Sequence, residues 1–167
     1  MNISQSILFL ALSGASTAAV AADAERTPPA PSVFVKKAAL DGMTEVEAGK
    51  VALSKSQDPE IRSFAQRMVD DHGKANSELA AIAQTKGIPA PKALDADHKA
   101  MVDALQGKSG KDFDHAYAEH MNMDHSKAIA LFESAAGSSD PDLAKFAKKT
   151  LPTLKEHKEL AEKLPGQ

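Results

Sequence analysis

From residue 32 onward the apolar positions of this chain recur at steps of three and four, and no stretch alternates long enough to make a strand. The spacing predicts an all-α fold. A first helix would be capped by Ser32 and run to about Ser56. Asp58-Pro59-Glu60 offers an N-cap, a proline at the first helical position and an acid in the first turn, so a second helix opens there. It should end before Gly87, with Pro89 beyond. A short helix is expected from Asp95 to Gln106, and a third long one from about Asp112 to Ala136, stopping at Gly137. Asp140-Pro141-Asp142 opens the last helix as the second was opened, and Pro165-Gly166 closes it. Pro152 lies inside that helix, where a missing backbone donor is expected to kink it.

Loop lengths suggest how these helices connect. Short turns join the first long helix to the second and the third to the fourth, giving two antiparallel hairpins. About 24 residues separate the hairpins, enough to travel back along a helix of roughly 42 Å. Such a crossover would make the second and third long helices parallel, the topology of a ferritin-like four-helix bundle with one long connection carrying the short helix. An up-down-up-down bundle would not need it.

Internal repetition supports related hairpins. Asp58-Pro-Glu-Ile-Arg-Ser-Phe-Ala65 matches Asp140-Pro-Asp-Leu-Ala-Lys-Phe-Ala147. Met68-x-x-Asp71-His72-x-Lys74-Ala75 recurs as Met121-x-x-Asp124-His125-x-Lys127-Ala128. Around these, Phe64, Met68, His72, Ala75, Leu79 and Ile82 step along one helix as Tyr117, Met121, His125, Ala128, Phe132 and Ala135 do along another. Each set is a packing seam with a histidine where leucine would be expected.

The N-terminus reads differently. The first 22 residues carry no charged side chain, hold the apolar run Ile7–Leu12 and reach Ala19-Val20-Ala21, the layout of a secretory signal cleaved after Ala21. Residues 22–31 form a Pro-rich linker and 32–164 the helical domain. The competing reading, an uncleaved anchor, has to contend with Ser, Thr, Gly, Gln and Asn diluting the stretch. Cleavage would leave no transmembrane segment, and a periplasmic location is expected.

Composition then removes whole classes of function. The 20 Lys and Arg against 23 Asp and Glu give a net charge of −3, leaving no basic excess for a nucleic-acid partner. With no cysteine, disulfides, thiolate zinc sites, iron–sulfur clusters and a Cys nucleophile are excluded. A Gly-rich phosphate loop, a G-x-S-x-G elbow and a His-Glu-x-x-His zinc motif are all missing, so no catalytic motif is recognisable. The expected role is binding rather than catalysis.

Ligand-type side chains remain. His72, His125 and His157 each occupy an inward seam, His157 through Leu154, Leu160 and Leu164. Glu47 has Leu40, Met43 and Val51 at helical spacing, and a carboxylate on an apolar stripe must be paired, protonated or bound to a cation. Counted from the turns, the four fall near one level, with Met43, Met68 and Met121 close by as soft neighbours. Three imidazoles and a carboxylate suit one copper, zinc, nickel or iron ion. The alternative is a buried polar network that only fixes helix register. His98, His115 and His120 sit among charged positions and read as solvated surface. Five residues separate His120 from His125, so the two cannot share a face.

Phe34-Val-Lys-Lys-Ala, Phe64-Ala-Gln-Arg-Met-Val-Asp-Asp-His72, Phe113-Asp-x-x-Tyr117, Met121-x-x-x-His125 and Leu151-Pro-Thr-Leu-Lys-Glu-His157 together resemble the exported bacterial family called domain of unknown function 4142. The resemblance would span about Val33 to Leu164. It implies a ferritin-like bundle in the cell envelope and no established activity. The diiron pattern of ferritin-like oxidases, Glu-x-x-His on two helices, is not present, since Val69, Asn122 and Leu154 stand three before the histidines.

Overall fold

The computed structural model describes residues 27–165, so the signal segment expected at 1–21 lies outside the described residues. Five helices follow one another: α1 (Pro31–Lys55), α2 (Pro59–Thr85), α3 (Ala96–Gln106), α4 (Gly110–Ala135) and α5 (Pro141–Ala161). No strand occurs among the described residues.

Local chemistry accounts for the boundaries. Asp58 Oδ1 accepts from the backbone N–H of Glu60 at 2.9 Å and of Ile61 at 3.1 Å, satisfying two of the orphan donors of α2. Asp140 does the same for Asp142 and Leu143, both at 3.1 Å, so the repeated sequence is a repeated cap. At the far end of α2, Gly87 takes φ +66°, the Gly87 N–H donates to Gln84 O and the Ile88 N–H to Ala83 O. That is a Schellman cap, and it requires the left-handed residue. Two starts differ from the sequence expectation. The first helix begins at Pro31 behind an uncapped Ala30, because proline at the first position needs no N–H partner. The third long helix begins at Gly110 behind Ser109, ahead of Asp112. Along α5 the helix runs unbroken through Pro152, which is exposed.

Two apolar clusters fix the helix directions. One gathers Ala48, Val51 and Ala52 from the end of α1, Ile61, Phe64 and Met68 from the start of α2, Phe113, Tyr117 and Met121 from the start of α4, and Ala161 at the end of α5 with Leu164 beyond it. The other gathers Phe34, Val35, Ala38 and Ala39 from the start of α1, Leu79 and Ala83, Phe132 and Ala135, and Leu143, Phe146, Ala147 and Leu154 of α5. Helices α2 and α4 therefore run from the first cluster to the second, parallel to each other, while α1 and α5 run back. The main seams are α1–α2, α2–α5, α5–α4 and α4–α1, which put α2 and α4 on opposite corners. The crossover helix α3 packs chiefly on α1 and sends Val102 and Leu105 into the first cluster.

Between the clusters each chain passes through polar positions. His72 lies between Met68 and Leu79, His125 between Met121 and Phe132, and His157 between Leu154 and Ala161. A polar layer thus crosses the middle of the core.

Candidate metal centre

The same seam spacing that buries Met68 and Leu79 on α2 aims His72 inward, and α4 and α5 deliver His125 and His157 to the same level. Their exposures are 8%, 0% and 1%. Ring centroids lie 5.5 Å (His72–His125), 5.4 Å (His72–His157) and 5.4 Å (His125–His157) apart. One ring nitrogen of each lies within 4.8 Å of one from each of the others. Phe64 closes one side, edge-on to His125 and His157 at 6.4 Å.

Hydrogen bonds decide which nitrogens are free. His125 Nδ1–H donates to Met121 O at 2.8 Å, leaving Nε2 as a lone pair with no partner. His157 Nε2–H donates to Asp71 Oδ2 at 3.1 Å, leaving Nδ1 bare in the same way. His72 Nε2 is also buried and unpartnered. Asp71 is itself held by Arg67 at 3.3 Å, and Arg67 reaches Glu156 at 2.7 Å. Burial would raise the Asp71 carboxyl, but His157 and Arg67 outweigh it and hold the group below its ordinary range.

Electrostatics keep the three rings neutral. Burial lowers His72 well below its ordinary value, with His125 and His157 adding to the effect. Burial brings His125 down to about 4 against the pull of its bond to Met121. His157 is also lowered by burial, although Asp71 opposes the shift. Three neutral imidazoles with unshared lone pairs, two of them oriented through their other nitrogen, form an arrangement able to hold a transition-metal ion.

The other expected ligands fall elsewhere. Glu47 is not in this layer: its side chain is 47% exposed and pairs with Lys50 at 2.7 Å. The inward carboxylate of α1 is Glu45, 4% exposed, which lies about 200° around the helix from Glu47. Met43 is half-buried and lines a surface groove with Asn76 and Pro91. Met68 and Met121 are fully buried in the first apolar cluster, one turn before His72 and His125. His115 is exposed as expected. His98 bridges Asp95 and Asp41, tying α3 to α1. His120 departs from its expected surface position: it is 7% exposed. It does face away from His125, but that face of α4 is covered by α1. Glu45, His120 and Asp124 form a second group there, with one ligand atom from each within 4.8 Å of the others. Helix α4 is buried on two sides, so the spacing of its large apolar residues marks only the face that carries His125.

A family model, "Domain of unknown function (DUF4142)", matches residues 15–164. The chain belongs to the DUF4142 family. Among solved structures, this DUF4142 chain is similar to the crystal structure of a DUF305 fragment from Deinococcus radiodurans. The TM-score is 0.71 at 17% identity, over 81% of this chain and 95% of that one, a likeness of fold alone. No curated protein matches the sequence. Among the described residues, no helix of this DUF4142 member is long and apolar enough to cross a membrane.

Proposed function

We propose that this protein is an exported, ferritin-like helical-bundle protein that holds a single transition-metal ion through His72, His125 and His157. The observation that carries the reading is the convergence of three buried, neutral imidazoles whose facing nitrogens have no hydrogen-bond partner. Leaving such atoms unpaired in a core is costly, and leucine at these seam positions would pack without that penalty. An ion that accepts three lone pairs removes it. The helix directions, with α2 and α4 parallel across a long connection, support the ferritin-like assignment. Imidazole ligands suit copper, zinc or iron. The uncharged segment ending at Ala21 supports export to the periplasm.

A second reading draws on the bonds of His125 to Met121 O and of His157 to Asp71, which fix both rings without any ion. On that reading the layer specifies packing only, in a metal-free envelope protein of structural or stress-associated role. Elemental analysis of protein purified from the periplasm, with copper(I) and zinc titrations of the metal-free chain, separates the two. Metal binding should be lost in His72→Leu with His125→Leu. If wild type binds no more tightly than that variant, and the variant is as stable or more so, the packing network stands.

A further inference from the structure

The group on the α1–α4 seam is chemically unlike the three-histidine layer, and it has the marks of a site of its own. Glu45 is 4% exposed and His120 7%, so both are withdrawn from water. Glu45 Oε2 and His120 Nε2 are buried without a hydrogen-bond partner. His120 Nε2 lies 3.5 Å from Asp124 Oδ2, too far for a good hydrogen bond. Neighbouring ligand atoms of one octahedral cation, with bonds of about 2.1 Å, stand roughly 3 Å apart, so a gap of 3.5 Å closes onto a shared cation with a small side-chain shift.

We propose that Glu45, His120 and Asp124 form a second metal site, taking a divalent first-row cation of oxygen-preferring character such as Mn²⁺. His120 and Asp124 are four apart on α4 and share one face, and α1 supplies Glu45 from across the seam. Asp124 is steadied from behind by Lys127, whose Nζ donates to Oδ1 at 3.2 Å. A cavity of about 140 Å³ lies between the two groups, walled by Glu45, Asp124, Asp41 and His98 and also by His72 and His125, so waters have room beside the two carboxylates while His120 closes the group from outside it. Charge separates the two sites. Burial, with Asp124 and Asp41 nearby, raises the Glu45 carboxyl well above its ordinary range, so a cation bound there would displace its proton and be balanced by carboxylate charge, whereas three neutral imidazoles leave an ion's charge intact. Carboxylate oxygens favour manganese, and imidazoles favour copper or zinc. The site does not follow the carboxylate-bridged diiron pattern, because its helix α4 motif is His-x-x-x-Asp rather than Glu-x-x-His.

The test is titration of the metal-free full chain with Mn²⁺, read by loss of the free-ion electron paramagnetic resonance signal. Wild type should take up one equivalent. Glu45→Gln with Asp124→Asn, close in shape to the native residues, should weaken uptake by at least about tenfold. If circular dichroism shows that variant unfolded, Glu45→Gln alone carries the comparison. His157→Leu, on α5 and outside this group, should leave Mn²⁺ uptake unchanged while abolishing copper or zinc binding at the other layer. Absence of Mn²⁺ uptake by wild type, or equal uptake by the Glu45 variant, overturns the proposal. Absence of copper and zinc binding would sink the three-histidine reading and leave this result untouched.

Discussion

At the scale of single residues, the histidine layer depends on who supports each ring. Asp71 accepts from His157 Nε2–H and so fixes the ring with Nδ1 as its unpartnered nitrogen. Replacing such a partner typically costs 10–100-fold in metal affinity. Asp71→Ala should therefore weaken copper or zinc binding by about that factor with the helical content unchanged, as competition titration and circular dichroism would show. The metal-free protein should also reveal the layer through pH. His125 has a folded pKa of about 4 against an ordinary value of 6.5, so between these values the unfolded chain takes a proton that the folded one refuses. Its contribution is complete above about pH 6.5 and is lost as pH falls toward 4, on the order of 3 kcal/mol from this group. His72 and His157 shift in the same direction. Urea unfolding in the presence of a chelator should give a clearly lower stability at pH 4.5 than at pH 7.5, and a flat profile would contradict the buried, neutral assignment. The three histidines were legible because each interrupts a seam of large apolar residues at steps of three and four. Glu45 was not, because α1 buries two faces through small residues such as Ala38, Ala39, Gly42, Ala48 and Gly49. Small side chains give little contrast, and Glu47 among Leu40, Met43 and Val51 looked the more inward of the two.

At the scale of elements, caps and close approaches carry testable energy. Removing an N-cap aspartate typically costs about 1 kcal/mol. Asp58→Ala should show that loss in urea unfolding. Asp140→Ala should lose more, because Asp140 also holds Lys86 at 2.9 Å and joins the start of α5 to the end of α2. Equal losses would mean that the Lys86 bridge contributes nothing. Gly49 reports on the α1–α2 seam: a Cβ there would stand 2.9 Å from Ala65 O and 2.9 Å from Val69 Cγ2. One of these is backbone and cannot swing aside, so Gly49→Ala should destabilise by roughly 1–3 kcal/mol, the usual range for overpacking. Helix starts marked by Asp-Pro were legible to the residue, since the cap chemistry is local. The starts at Pro31 and Gly110 were not, because neither Ala30 nor Ser109 makes a side-chain cap that would announce them.

At the scale of the whole molecule, topology came from loop length together with the repeated Met-x-x-Asp-His-x-Lys-Ala motif. A connection long enough to return along a helix implied parallel α2 and α4, and the two apolar clusters show those directions. What loop length could not give is the route of the crossover. Helix α3 lies against α1, where His98 meets Asp41, and it thereby walls the cavity beside Glu45 and Asp124. The contacts that seat α3 are therefore long-range ones, invisible to periodicity. The same scale governs the N-terminal expectation. The described chain begins at Thr27, whose carbonyl accepts from Ser134 Oγ at 3.1 Å, so the approach to α1 is docked against the end of α4. Cleavage after Ala21 would leave a short tether before that contact and free the whole molecule. Retention of the segment would instead fix the Phe34 end of the molecule beside a membrane. Intact mass of protein isolated from the native envelope decides between them: the chain should begin at Ala22 or within a few residues of it, in the periplasmic fraction. A mass that retains Met1, recovered with membranes, would establish the anchor and place both candidate metal layers at a membrane surface.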